Sequence, residues 1–178
     1  MSFLNMLRKL GNHIGAYKVH LCPEVKGKIT DHGKPLVDVK IERILSFSDG
    51  KYVEDHTFTD ENGEFSLPEV NIRSGQPAVP FAEIFTSQAI TFIHGNDEYC
   101  LWSSRQSGIK YREEYDKKLG SLIGDISNEK KFFNFKSNES GRYSNRAYSI
   151  CRWEKDYRVI DVEKYLGLDT IKKKSENR

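Results

Sequence analysis

The chain has 178 residues, of which 37% are hydrophobic and 30% are charged, a length and composition typical of one globular domain. The formal net charge of +2 is too small to indicate a nucleic-acid partner, and no stretch reaches the roughly 20 apolar residues that a membrane-spanning helix requires. Three widely separated cysteines do not suggest a disulfide framework. We therefore expect a cytoplasmic, single-domain protein with no nucleic-acid or membrane partner.

The first segment of the chain predicts a short helix. Its apolar residues recur at helical spacing, at Phe3, Leu4, Met6, Leu7 and Leu10. Because charged residues fall inside this run, the segment lacks the continuous apolar core of a secretion signal. We assign residues 1–15 to an amphipathic N-terminal helix.

Residues 25–68 carry the clearest structural pattern in the sequence. Val37, Val39 and Ile41 alternate with polar residues, which predicts a half-buried strand. A Gly-Lys-Pro turn precedes this strand, and an Asp-Glu-Asn-Gly turn separates the next strand from its successor. Two hairpin signals around one alternating strand predict a β-sandwich.

Short apolar runs separated by turn residues predict the other strands. These runs lie at residues 17–22, 24–30, 52–59, 65–67, 81–85, 89–94, 98–102, 119–126 and 147–153. At residues 130–136, basic and aromatic residues alternate, and we favour a strand with Phe133 and Phe135 facing inward over a surface that stacks nucleotides. We predict about seven strands in one domain at residues 16–157.

The end of the chain predicts a short helix followed by a basic tail. The apolar spacing at residues 160–168 is helical, and three lysines follow at residues 172–174. Such a lysine run is typical of a solvated chain end rather than of a phosphate-binding arm. We assign residues 158–178 to this helix and tail.

Candidate catalytic and metal-binding residues are sparse. His20 and Cys22 would share one strand face, as two zinc ligands could, but a structural zinc site usually needs four ligands. Cys100 and His94 could be drawn as a nucleophile and its base, yet no orienting residue or oxyanion donor accompanies them. We therefore expect no metal, no cofactor and no enzymatic activity.

Within residues 25–68, a set of individual residues carries a more specific signal than the alternation of strands and turns. These are Gly27, Ile29, Gly33, Lys34, Pro35, Leu36, Val39, Ile41, Thr57, Thr59, Asp60, Gly63 and Phe65. Together they resemble the carboxypeptidase regulatory-like, or transthyretin-like (prealbumin-like), β-sandwich family. The resemblance implies an all-β transthyretin-like sandwich with a short N-terminal helix and C-terminal additions. It implies little about chemistry, because this sandwich is an accessory module on many unrelated proteins.

Residues 20–27, 97–102 and 150–153 extend the resemblance beyond the sandwich pattern. With it, they are similar to a group of small bacterial proteins encoded near type VI secretion effector genes. Membership would imply an immunity protein, which binds a toxin and neutralises it by occlusion. Three alternatives stay open: a carbohydrate- or peptide-binding accessory module, an adaptor that loads an effector for secretion, and a hydrolase around Cys100 or His94.

Residues 105–118 predict an exposed loop or short helix that mixes both charges with two tyrosines. Tyrosine and arginine are enriched where protein interfaces concentrate their binding energy. We therefore predict partner contacts at Arg105, Lys110, Tyr111, Arg112, Glu113 and Tyr115, with an ordinary solvated loop as the alternative. Trp102 and Trp153 are interpreted as core residues of the sandwich.

Overall fold

Short strands joined by turns build most of the fold. The computed structural model describes residues 12–109 and 111–160, which contain thirteen strands and one α-helix. The strands are β1 (Tyr17–Cys22), β2 (Val25–Asp31), β3 (Lys34–Pro35), β4 (Lys40–Phe47), β5 (Tyr52–Phe58), β6 (Glu64–Leu67), β7 (Val70–Ser74), β8 (Phe85–His94), β9 (Asp97–Ser107), β10 (Leu122–Asp125), β11 (Lys131–Lys136), β12 (Tyr143–Ser149) and β13 (Tyr157–Ile160). The helix is α1 (Glu113–Leu119), and a 3-10 helix spans Gln76–Ala78.

The all-β prediction is confirmed, but the expected count of about seven strands was too low. Several of the added strands are only two to five residues long, too short to show a clear alternation in sequence. The predicted N-terminal helix lies outside the described residues except for residues 12–15, which are not helical. The predicted C-terminal helix also lies outside them, apart from Ile160, which ends β13. Within the described residues, no helix is long and apolar enough to cross a membrane.

Seven strands form one antiparallel sheet in the order β13-β11-β12-β9-β8-β4-β5. Alternation along each strand puts one set of side chains in the core and the other on the solvent side. In β4, for example, Ile41 and Leu45 are fully buried, whereas Ile44 is half exposed. We call the solvent side of this sheet the outer face.

The second layer centres on β2, which pairs with β3 and β6 in antiparallel and with β10 in parallel orientation. On the other side of Pro23 and Pro68, β1 and β7 continue the same two chain segments and pair with each other. A proline has no N–H group to donate to a ladder, so the pairing is interrupted at these two residues. The result is one long ribbon with a break in its middle.

Aromatic side chains fill the core between the large sheet and α1. Trp102 is fully buried, and its ring lies 5.3, 5.7 and 6.1 Å from the rings of Tyr115, Phe135 and Trp153. Phe133 is also fully buried and lies 5.1 Å from Trp153. These contacts confirm that both tryptophans are core residues and that Phe133 and Phe135 face inward.

A single carboxylate fastens β10 to the turn between β2 and β3. Asp125 accepts hydrogen bonds from the Thr30 hydroxyl at 2.6 Å, from the backbone N–H groups of Gly33 and His32 at 2.9 and 3.2 Å, and from the Ser127 backbone N–H at 2.9 Å. Partial burial raises the pKa of Asp125, but the hydrogen bonds from Ser127, Thr30 and Gly33 outweigh it and hold that pKa well below its ordinary value. The ionised carboxylate therefore stabilises this junction.

The Asp125→Asn variant is expected to lose about 2 kcal/mol of unfolding free energy near neutral pH, the usual contribution of a hydrogen-bonded charged acceptor. Because the folded pKa lies below the unfolded value of about 3.9, this contribution is complete above that value and is lost as the pH falls through the folded pKa. Urea unfolding near neutral pH and at about pH 3 measures both effects.

The stability difference between the wild type and Asp125→Asn should narrow at the lower pH. Asp97→Asn, a change at an exposed residue that begins β9, is the control and should have no effect at either pH. A difference of equal size at both pH values would contradict the role of the ionised carboxylate.

Candidate interaction surface

The outer face carries a row of mainly apolar side chains that crosses six strands. The strand registers pair Ile44 with Ala89, Ala89 with Ser103, Ser103 with Tyr148, Tyr148 with Phe132, and Phe132 with Ile160. Paired residues on neighbouring strands share one face of a sheet. We call these six residues the apolar row.

Large side chains of the apolar row are open to solvent. Ile44 is 51% exposed and Phe132 is 37% exposed. A groove of about 560 Å³ runs along the row, and its lining includes Ile44, Ala89, Tyr148 and Phe132. The solvent side of an antiparallel sheet usually carries polar residues, so exposed apolar side chains along one row of it indicate a contact surface.

A second row of side chains lies beside the apolar row and is basic. Ser103 and Tyr148 pair on neighbouring antiparallel strands. Arg105 follows Ser103 by two residues and Arg146 precedes Tyr148 by two, so the two arginines are neighbours on the outer face. Arg146 pairs with Asn134, and Asn134 pairs with Arg158. We call Arg105, Arg146 and Arg158 the arginine row.

Aromatic rings orient two members of the arginine row. The guanidinium carbon of Arg105 lies 3.6 Å from the centre of the Phe85 ring, and that of Arg158 lies 4.1 Å from the centre of the Tyr143 ring. Arg105 also makes an ion pair with the exposed Glu83 at 3.4 Å. Arginine side chains on one sheet face, two of them oriented in this way, favour an anionic group placed against that face.

The partner contacts predicted from sequence do not form one site. Arg105 lies on the outer face, whereas the half-exposed Tyr111 lies on the other layer, with its ring 5.1 Å from that of His20 on β1. Arg112 donates to the Asn145 side chain at 3.2 Å. The predicted set is therefore divided between two surfaces.

The remaining predicted contacts have structural roles or lie outside the described residues. Glu113 is exposed and makes an ion pair with Lys117 at 2.6 Å. Tyr115 is only 2% exposed, and its hydroxyl donates to the Arg146 carbonyl at 3.0 Å. The prediction of a contact at Tyr115 is corrected, because its ring packs in the core against Trp102. Lys110 lies outside the described residues.

Cys100 and His94, considered above as a nucleophile and its base, are not paired on neighbouring strands. Cys100 pairs with Thr91, three residues from His94 along β8, a separation of about 10 Å in a strand. Burial raises the pKa of the Cys100 thiol to about 11, so the thiol is protonated rather than nucleophilic. His20 faces Glu69 at 3.3 Å, while Cys22 is buried. In the part of the chain that the structure describes, no group of three His, Cys, Asp or Glu residues could hold a metal ion.

The sequence contained a signal for one residue of the apolar row. Ile44 lies in the same phase of β4 as Lys40 and Glu42, so it is a large apolar residue among solvent-facing ones. The members on β11 and β12 carried no such signal, since Phe132 and Tyr148 join the same row as Ile44 only when distant strands pair.

Comparison with protein families gives one match. The model of the family DUF6795, described as a domain of unknown function, matches residues 25–129. No curated protein and no solved structure matches the chain. The matched span includes Ile44, Ala89 and Arg105 but ends before β11, so the half of the surface formed by β11, β12 and β13 lies beyond it.

Proposed function

The chain belongs to the family DUF6795, a domain of unknown function, and we propose that it is a non-enzymatic protein-binding protein whose contact surface is the outer face. The observation that carries this proposal is the apolar row. Its exposed members Ile44 and Phe132 lie on the outer face of the large sheet. Covering such a row with a partner removes apolar surface from water and stabilises the complex.

A protein partner fits this surface better than a sugar or a nucleotide. Carbohydrate-binding sheets present exposed aromatic rings, but Trp102 is fully buried and Trp153 is 9% exposed. The rings of Phe132 and Tyr148 lie 4.8 Å apart and are tilted by 45°, so they contact each other rather than lying flat for base stacking. Ile44 adds an aliphatic contact, which is typical of protein interfaces.

The charges beside the apolar row indicate the chemistry of the partner. Arg105, Arg146 and Arg158 border one side of the row, and arginine forms paired hydrogen bonds with carboxylates. We therefore propose a partner surface that presents apolar side chains flanked by Asp or Glu residues.

Toxin neutralisation is the biological form that we propose for this binding. It is supported by the resemblance of residues 20–27, 97–102 and 150–153 to proteins encoded near type VI secretion effectors. The mechanism would be occlusion, with the rigid sheet face covering the active site of the toxin or blocking its assembly. The proposal predicts an effector gene next to the gene that encodes this chain, and we call the product of that effector gene the candidate toxin.

An effector-loading adaptor would use the same surface for a different purpose. Deleting an immunity gene should make the cell sensitive to the candidate toxin while leaving toxin export intact. Deleting an adaptor gene should abolish export and leave sensitivity unchanged. The two measurements in one strain pair therefore separate the two functions.

The Ile44→Glu variant is expected to bind the candidate toxin about thirtyfold more weakly and to lose protection in co-expression, because a carboxylate would be buried among apolar groups. Its unfolding free energy should change little, since the side chain is half exposed. Isothermal titration calorimetry and growth on co-expression measure the two effects.

Ile123→Glu is the matched control, because Ile123 is 60% exposed on β10 in the other layer. It should bind and protect like the wild type. A loss of binding in Ile123→Glu but not in Ile44→Glu would place the contact surface elsewhere. Wild-type protein that neither binds nor protects would reject toxin neutralisation.

A further inference from the structure

The turn before β8 has a phenylalanine at a position that normally requires glycine. The Ala82 N–H donates to the Val79 carbonyl at 3.3 Å, which closes a four-residue turn. Pro80 occupies the second position, and Phe81 occupies the third with a φ of +61°. Proline followed by a residue of positive φ is the pattern of a type II turn, in which the third residue is usually Gly or Asn. A bulky residue in this conformation is strained.

The side chain of Phe81 is fully exposed to solvent. The neighbouring Val79 is 55% exposed, so two apolar side chains project from the same turn. Phe81 thus combines an unfavourable backbone conformation with an aromatic ring in water, and no buried contact in the described residues offsets either cost. A strained residue that contributes nothing to the core indicates a functional role.

The turn adjoins the arginine row. Glu83, two residues after Phe81, makes the ion pair with Arg105 at 3.4 Å. The guanidinium of Arg105 lies over the ring of Phe85, the first residue of β8. The turn that carries Phe81 is therefore joined directly to residues at the border of the outer face.

We propose that Phe81 is an anchor residue that inserts into an apolar pocket on the protein partner, an inference that rests on the proposed function. Proline restricts the turn, so the ring is presented with little backbone freedom left to lose on binding. A membrane surface is the competing occupant, but membrane binding scales with buried apolar area, and this turn exposes only two large apolar side chains, Val79 and Phe81.

Removal of the ring tests the proposal directly. Phe81→Ala and Phe81→Gly are expected to bind the candidate toxin about fiftyfold more weakly, whereas Phe81→Trp should retain affinity within about threefold. Phe81→Gly should unfold at a midpoint equal to or above that of the wild type, because the strain is relieved and no buried contact is lost. A purely structural role would instead lower that midpoint. Biolayer interferometry and thermal unfolding provide the two readouts.

The outcomes separate this proposal from the proposed function. Ile123→Ala, at an exposed residue of the other layer, is the control and should bind like the wild type. Unchanged affinity in Phe81→Ala would overturn the anchor while leaving the outer face as the contact surface. Wild-type protein that fails to bind the candidate toxin would overturn both. Co-sedimentation of the wild type, but not Phe81→Ala, with phosphatidylcholine–phosphatidylserine vesicles would overturn the protein pocket in favour of a membrane.

Discussion

Replacing Asp55 with alanine is expected to lower the free energy of unfolding by about 3–5 kcal/mol, because the change leaves the buried charge of Arg43 without its partner. The Arg43 side chain is fully buried, whereas that of Asp55 is 30% exposed. Arg43 Nε donates to Asp55 Oδ1 at 2.8 Å, and Arg43 Nη2 donates to Asp55 Oδ2 at 2.5 Å. This paired geometry joins β4 to β5.

The third contact of Arg43 joins the two layers of the sandwich. Arg43 Nη1 donates to the Pro68 carbonyl at 2.8 Å, at the break in the ribbon. Burial lowers the pKa of Arg43, but the hydrogen bond with Asp55 and the interaction with Cys22 raise it above its ordinary value. The guanidinium therefore stays charged, and its desolvation must be offset by Asp55.

The double variant Arg43→Met/Asp55→Ala separates the cost of an unpaired buried charge from the cost of the lost contact. Methionine fills a similar volume without a charge, so the double variant should be more stable than Asp55→Ala alone. Glu54→Ala is the control, since Glu54 is exposed on the opposite side of the same strand. Urea unfolding of the four proteins completes the comparison. A loss below about 1 kcal/mol in Asp55→Ala would show that solvent compensates the charge.

The buried Arg43 shows what could be predicted from the alternation of residues along a strand and what could not. Ile41 was expected on the buried side of a strand, and Arg43 lies two residues later in the same phase. Continuing the alternation by two residues would place Arg43 in the core, although its charge suggests the surface. Its partner Asp55 lies twelve residues away on β5 and becomes visible only when the two strands pair.

Alternation also failed where the backbone departs from a strand. The sequence placed Val37, Val39 and Ile41 on one buried face, but Val37 is 55% exposed and β4 begins only at Lys40. Asp38 has a φ of +56°, which no extended strand allows, so the alternation is broken between Val37 and Val39. Aspartate tolerates this conformation better than most residues, which was the available signal.

The predicted contact set shows why local composition could not locate the site. Tyr115 and Leu119 lie four residues apart and are both buried, which is the spacing of one helix face. That spacing was present in the sequence, but the tyrosine was interpreted through its frequency at interfaces. The apolar row depends on the registers of six strands, and no local window contains them.

Reversing two charges of the arginine row is expected to slow association with the candidate toxin about a hundredfold at low ionic strength. Complementary charges accelerate the encounter of two proteins by tenfold to a thousandfold. In the Arg105→Glu/Arg146→Glu variant, the two introduced glutamates would instead repel carboxylates on the partner. Stopped-flow association at several salt concentrations measures the effect, which should diminish as salt screens the charges.

Urea unfolding checks that this variant stays folded, so that a slower association reports on the encounter itself. The ion pair of Arg105 is exposed on both sides, at 60% for Arg105 and 82% for Glu83, and exposed pairs contribute little to folding. Lys26→Glu/Lys28→Glu reverses the same number of charges on β2 in the other layer and is the matched control. Equal slowing in both double variants would mean that net charge alone steers the partner. Slowing confined to Arg105→Glu/Arg146→Glu would place the carboxylates of the partner against the outer face, because only a local field distinguishes two variants of identical net charge.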